Sequence, residues 1–411
     1  MAAKDLGSKM RDSKMMIDNL RSVITENEIV DFIKELVAIP SHAGIENQET
    51  RVAECIHGLF VKEGIESEVV HVADGRSNVI ARLKGSNKGK TLLLTGHLDT
   101  VPPYDMPDPF ALKYDGEVLT GRGVVDMKGQ LACMIYSIIA IKRADIKLGG
   151  DLIFAGVIDE EEKSLGTIDL IEKGIKADAA IVGEPTNFNI CICHRGLEWF
   201  EIQFHGKTIH GGAQKEGVNA ILLASNFIQK IQEKLMPKIE EETHPIIGTS
   251  SMNYGTIKGG TQPSTVAGDC VLKIDRRWVP GIRYGDIIKE YRDIIDELSQ
   301  EDKNFKCTFK VMDESVMKEG YVHEPMEIDI NHPIVNITKS VAKEVLNKEP
   351  ELTYFPAWTD GGLLSTYAKI PTIVFAPGNL KSAHSSNEHL EIEQIMPAAL
   401  IYSLIAADYC H

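Results

Sequence analysis

Apolar positions recur with a helical period from Glu26 onward, where Ile29, Ile33, Leu36 and Val37 share one face before Pro40 ends the segment. Glu46 to Gly64 predicts a second amphipathic helix, with Val52, Ile56, Leu59 and Phe60 inward and Gly64 past its end. Strands are expected at Ser67–His71, Asn78–Leu83 and Thr91–Thr95. The last carries Leu92-Leu93-Leu94 without a polar break, as a strand buried on both faces does. Gly129–Lys142 predicts an apolar helix, Asp151–Ile158 a buried strand, Thr167–Lys173 a helix stopped by Gly174, and Ala179–Val182 another strand.

The texture changes near Asn187. Leu197–Phe204 alternates as a half-exposed strand would, Val218–Leu235 and Tyr284–Leu298 are helical, and Ser251–Lys258, Gly268–Arg276 and Phe305–Met312 predict strands. The chain then returns to a helix (Ile334–Leu346), a strand (Thr372–Phe375) and a last helix (Ile395–Ala407). The expected fold class is α/β: a mixed, mostly parallel sheet with helices on both faces, plus an inserted α+β domain of β-α-β-β-α-β order. The boundaries read as an N-terminal extension at 1–25, a main domain from 26–186 and 313–411, and an insert at 187–312.

Against that pattern, five acidic and histidine clusters fall where a strand ends or a turn begins. They are GHLDTVP (Gly96 to Pro102), GRGVVDMKG (Gly121 to Gly129), DEEE (Asp159 to Glu162), GEPT (Gly183 to Thr186) and AHSSNEH (Ala383 to His389). Ligands of open α/β sheets bind beyond the carboxyl ends of strands. Two imidazoles and three or four carboxylates suit a pair of zinc-like divalent ions sharing a water, which is the equipment of a two-metal amide hydrolase.

Each cluster has a plainer reading as well. His97-Leu98-Asp99 places two side chains on one side of an extended segment, where the acid can orient the imidazole. Asp126 lies in a glycine-rich turn before an apolar helix, as a bridging carboxylate or as an N-cap. Glu160 and Glu161 can point apart, one toward a cation and one free as a general base, or can form a solvated acidic turn. Glu184 and His384 each follow a predicted strand and are unremarkable alone.

Two decoys drop out. GSNKGKT (Gly85 to Thr91) is one residue short of a phosphate loop and precedes a strand instead of a helix. His205 and His210 are five apart, which is not a helical metal pair.

Composition bounds the rest. At 411 residues two domains are expected, and 43% hydrophobic with 25% charged residues is ordinary for a globular protein. A net charge of −16 argues against nucleic acid or an anionic membrane as partner. Seven scattered cysteines suit a reducing compartment, with Cys191 and Cys193 packed on one strand face. With no apolar leader and no uninterrupted span of about 18 apolar residues, a cytoplasmic location is expected.

Taken together, the clusters resemble, in kind and order, the M20 metallopeptidase family that contains acetylornithine deacetylase, succinyl-diaminopimelate desuccinylase, aminoacylase-1 and glutamate carboxypeptidases. The likeness runs from about Glu26 to the C-terminus. It implies that His97 and Glu184 bind one metal, Glu161 and His384 the other, and Asp126 bridges them through a residue whose bond to Met127 is often cis. It implies Glu160 as general base and Asp99 as partner of His97. The insert would be a lid that also forms a homodimer, His210 would polarise the scissile carbonyl in a neighbouring subunit, and Arg277 would clamp a substrate carboxylate.

The cofactors implied are two divalent ions, zinc foremost, with cobalt or manganese as alternatives. The substrate implied is an N-acyl amino acid, with a di- or tripeptidase or carboxypeptidase as the alternative and a silent binding protein as the reading from another class. One departure bears on specificity: after Gly259-Gly260 many relatives carry Asn, two apolar residues and Pro, whereas this chain has Thr261-Gln262-Pro263.

Overall fold

Short apolar strands and a core helix buried all round build the larger part of the molecule. The computed structural model describes residues 14–411; of the N-terminal extension expected at 1–25, residues 1–13 lie outside the described residues. Residues 14–23 are helical, and Thr25 and Glu28 form a capping box that starts the helix Glu26–Val37. The described chain divides into two compact units. One runs up to Ile192 and resumes over Glu327–Phe355 and Thr359–His411; the other comprises Cys193–Met326 and Pro356–Trp358.

A nine-stranded sheet belongs to the first unit in all but a few residues; Cys193, His194 and Met326, at the ends of two strands, are counted with the second. The sheet order is Glu66–Ala73, Arg76–Leu83, Leu152–Val157, Leu92–His97, Ala179–Val182, Thr372–Val374, Ile190–His194 and Met326–Glu327, with Leu352–Phe355 pairing Ile190–His194. The four strands from Leu152–Val157 to Thr372–Val374 are mutually parallel. Antiparallel pairs flank them on both sides, which gives a mixed sheet around a parallel centre.

Leu92–His97, Leu152–Val157 and Ala179–Val182 are buried at every position, which is why their sequences show no alternation. Helices Gly129–Arg143 and Ile395–Tyr409 pack on one another, the first buried from Gly129 to Ile141. Val124–Arg143 is long and apolar enough to cross a membrane by length and composition, yet it is buried inside this unit from Val124 to Ile141.

The strand-end edge follows from these pairings. In the parallel register His97 stands opposite Val157, so the segment after His97 and the turn after Val157 leave the sheet side by side. Gly96 lies against the thioether of Met127, so a Cβ at that position would displace the end of the Met127 side chain.

The helix expected over Glu46–Gly64 begins only at Thr50. Asn47 and Gln48 have left-handed backbone angles, and the Glu49 carboxylate turns inward to Arg76 instead of starting a helical face.

The second unit has one antiparallel four-stranded sheet in the order Ser251–Gly259, Asp269–Trp278, Gly196–His205, Cys307–Val311. Helices Ala220–Lys234 and Tyr284–Glu301 cover its inner face with Leu223, Phe227, Ile231, Ile287 and Tyr291 against Phe200, Ile202, Phe204, Leu272 and Ile274. The period-2 burial of Gly196–His205 and Asp269–Trp278 matches a sheet with only one face covered.

Candidate metal centre

Three of the five clusters follow the parallel strands Leu92–His97, Leu152–Val157 and Ala179–Val182. A fourth arrives in the loop after the parallel strand Thr372–Val374, and the fifth, carrying Asp126, in the turn before the helix Gly129–Arg143. His97 is the last residue of its strand and is almost fully buried. Its Nε2 lies 3.0 Å from Asp126 Oδ1 and 3.5 Å from Glu184 Oε1. The other oxygen of Asp126, Oδ2, lies 3.0 Å from His384 Nε2, which is also 3.0 Å from Glu161 Oε1. One carboxylate therefore stands between two imidazoles and offers an oxygen to each. The Asp126–Met127 peptide bond is cis.

Two donor groups result. His97, Asp126 and Glu161 form one, and His97, Glu160 and Glu184 the other, each with donor atoms within 4.8 Å of one another. His384 is half exposed, with a left-handed backbone in the loop between Thr372–Val374 and the short strand His389–Glu391.

The electrostatics of this cluster are those of too many acids in too little water. Burial and the charge of Glu184 push the Glu160 carboxyl well above its ordinary range. Burial and the charge of Asp126 do the same to Glu184, and burial and Asp126 raise Glu161. Asp126 shifts the other way: burial opposes its charge, but His384 and His97 outweigh burial and hold it low. Hydrogen bonds to Asp126 and then Glu161 raise His384 to about 10. In His97 burial opposes the proton, yet Asp126, Asp99 and Glu184 leave the imidazole raised.

Divalent cations relieve such a cluster better than protons do, because they discharge several carboxylates at once. The residues fit that use. They supply imidazole nitrogen and carboxylate oxygen only, with one acid placed to be shared, a donor set suited to zinc-like and harder divalent ions.

Supporting contacts differ in part from the sequence-level expectation. His97 Nδ1 makes its short contact, 3.0 Å, with the backbone carbonyl of Asp99, and the Asp99 carboxylate is 3.5 Å from that nitrogen. That carboxylate also accepts the backbone N–H groups of Glu160 (3.3 Å) and Glu161 (3.0 Å). The DEEE turn is held again from below. Glu49 and Asp159 both pair with Arg76, and the Asp159 carbonyl, at positive φ, accepts from the N–H groups of residues 162–164.

His210 and Arg277 belong to the second unit. His210 caps the 3₁₀ turn Gly211–Glu216, its Nδ1 accepting the Gly212 N–H at 3.1 Å. Arg277 is one-third exposed and pairs with Asp275 at 3.1 Å.

Comparison with known proteins decides the lineage. Residues 93–408 match Peptidase family M20/M25/M40. The chain belongs to that family. This M20-family chain is 29% identical over 409 residues to the N-formyl-4-amino-5-aminomethyl-2-methylpyrimidine deformylase of Bacillus subtilis, covering 93% of this chain and 94% of that protein. It is 31% identical to the acetylornithine deacetylase of Vibrio cholerae, covering 84% and 88%. The aminopeptidase PepT of Bacillus cereus superposes with a TM-score of 0.77 at 21% identity, over 94% of this chain and 99% of that one, which establishes the shared fold.

Several buried acids of this M20-family chain escaped the sequence reading, Glu49, Asp360 and Glu388 among them. Asp360 is buried before the helix Gly361–Thr366 and accepts from the Thr167 hydroxyl at 2.7 Å. Glu388 is fully buried and accepts from the turn that carries Asp126. Glu388 lies inside the AHSSNEH cluster, but no local pattern marks a residue whose partners sit some 260 positions away in the chain.

Proposed function

We propose that this chain is a two-metal amidohydrolase that cleaves the amide bond of an N-acyl amino acid or a related N-acylated amine. The observation that carries the reading is Asp126 set between His97 and His384, with Glu160 in the adjoining donor group. His97 and Glu184 would hold one cation, His384 and Glu161 the other, with Asp126 shared; we take zinc as the native metal, ahead of cobalt or manganese. Such ions polarise a carbonyl and acidify water.

The chain's own groups do the rest. Glu160 takes the proton of the attacking water on its carboxylate and delivers it to the leaving nitrogen, a task suited to an acid whose affinity for protons is raised. Asp99 fixes that carboxylate's backbone and sets the His97 ring from the far side. We assign polarisation of the scissile carbonyl to His210 and recognition of a substrate carboxylate to the planar fork of Arg277. The insert, expected over 187–312, is proposed as the lid and as the surface of a homodimer, and the cytoplasm as the location. The deformylase and deacetylase names of the relatives support an N-acyl substrate.

The test is amine release from a panel of N-formyl, N-acetyl and N-succinyl compounds and di- and tripeptides. Protein stripped with chelator is resupplied with zinc, cobalt or manganese. Metal-restored turnover of acyl compounds supports the proposal. Turnover confined to peptides would replace it with the peptidase reading, and silence with no metal bound would overturn it.

A further inference from the structure

Glu388 belongs to neither donor group, yet it gathers four hydrogen-bond donors, more than Asp99 or Asp126 beside it. Its Oε1 accepts the backbone N–H groups of Val125 (3.0 Å) and Asp126 (3.1 Å). Its Oε2 accepts the N–H of Gly123 (3.0 Å) and one nitrogen of Arg122 (2.5 Å). Arg122 is itself 1% exposed, and its second nitrogen donates to the carbonyls of Ser385 (3.3 Å) and Pro103 (3.4 Å).

This one ion pair therefore ties together three segments. They are the stretch leaving His97 and Asp99, the turn carrying Asp126, and the loop carrying His384. A carboxylate is the only side chain that accepts on both atoms at once, and burial of an ion pair this deep is costly unless its polar atoms find partners. Both Glu388 oxygens and both terminal nitrogens of Arg122 do, while Arg122 Nε has none.

A simple turn staple would need none of the reach to His384's loop. The Asp126 N–H is itself one of the donors, so a shift of Glu388 moves the backbone of the shared acid directly. Asp126 has an imidazole at 3.0 Å on each oxygen, which leaves little tolerance in its placement. We propose that Glu388 is a positioning residue of the metal centre, setting the orientation of Asp126 and its spacing from His384 and thereby the affinity for the cation pair. The proposal rests on the two-metal reading above.

Glu388→Gln keeps the size but places an NH₂ among N–H donors whichever way the amide turns. The experiment measures zinc affinity of wild type and variant by competition with a chromophoric chelator, alongside thermal unfolding of the metal-free proteins. The expected result is an affinity about 10- to 100-fold weaker, the usual effect of losing a group that orients a ligand, with turnover recovered by excess zinc. Glu388→Asp, which keeps the charge but shortens the reach, serves if the Gln variant does not fold, and it should also weaken zinc binding.

Affinity within about twofold of wild type, with only a lower melting temperature, would reduce Glu388 to a structural staple and overturn the proposal. If wild type binds two zinc ions and the variant matches it, this inference alone falls. If wild type takes up neither zinc, cobalt nor manganese, the two-metal reading falls with it.

Discussion

The carboxylate of Asp99 accepts the backbone N–H of Glu161 at 3.0 Å, tying the segment after one parallel strand to the turn after its neighbour. The same carboxylate takes the N–H of Glu160. One acid next to a candidate ligand thus holds the backbone of both the proposed base and a second ligand. Asp99→Asn puts an amide N–H against these donors. It should lower kcat about 10- to 100-fold with KM less affected, and steady-state kinetics with saturating metal would show it. An unchanged kcat would leave Asp99 with the orientation of His97 alone.

Glu160→Gln removes the proton carrier and leaves the donors of Asp126, Glu161, Glu184 and both histidines in place. Turnover should fall by about 10²- to 10⁴-fold, while metal analysis of the purified variant still finds two ions per chain. Near-wild-type turnover would transfer the proton to another group.

His384 is the most exposed member of the cluster and reaches it from a loop instead of a strand end. His384→Ala should lower metal occupancy selectively, so that elemental analysis after dialysis gives about one ion in place of two. Two ions retained after dialysis would remove it from the ligand set.

Arg76 is the counter-ion of two buried acids, Glu49 and Asp159, and sits beneath the turn that carries Glu160. Arg76→Met would leave both acids uncompensated. The expected loss is about 3–5 kcal/mol, the usual penalty for stripping one member from a buried pair, read from urea unfolding at fixed metal concentration. A loss below 1 kcal/mol, on the order of a surface pair, would contradict that account.

The second unit contains a pH-sensitive acid of its own. Burial pushes Glu198 from 4.5 up to about 7, against the opposing hydrogen bonds of the Ser315 hydroxyl and the Trp199 N–H. Its stability contribution is full below pH 4.5 and is lost as pH rises through 7, because the unfolded chain ionises first. His323, with Nδ1 3.9 Å from Glu198, is driven by burial from 6.5 down to about 4, so its contribution is lost as pH falls through that range. Glu198→Gln removes only the first effect. The melting temperature of the variant relative to wild type should therefore rise between pH 4.5 and 7, and a flat difference would show that Glu198 keeps an ordinary pKa.

Some of this was open to inspection in the chain itself. Continuous apolar runs such as Leu92-Leu93-Leu94 mark strands covered on both faces, and the acids after them mark the functional edge, because backbone periodicity and strand-end chemistry are local properties. The alternation of Gly196–His205 likewise shows a sheet with one wet face. Boundaries were less legible where a tertiary partner intervened, as at Glu49, whose pairing with Arg76 delays the helix to Thr50.

The sequence by itself determined the α/β order, the family pattern and the residue types that gather at the site. The family pattern implied Asp126 as a shared acid; only the tertiary structure decided which of its oxygens faces each imidazole, that Asp99 supports Glu160 and Glu161, and that Glu388 closes on Arg122 from 266 positions away. The reason is physical: a helix or strand is set by neighbours within a few residues, whereas the partner of a buried carboxylate is set by sheet order and loop path, and nothing local encodes it.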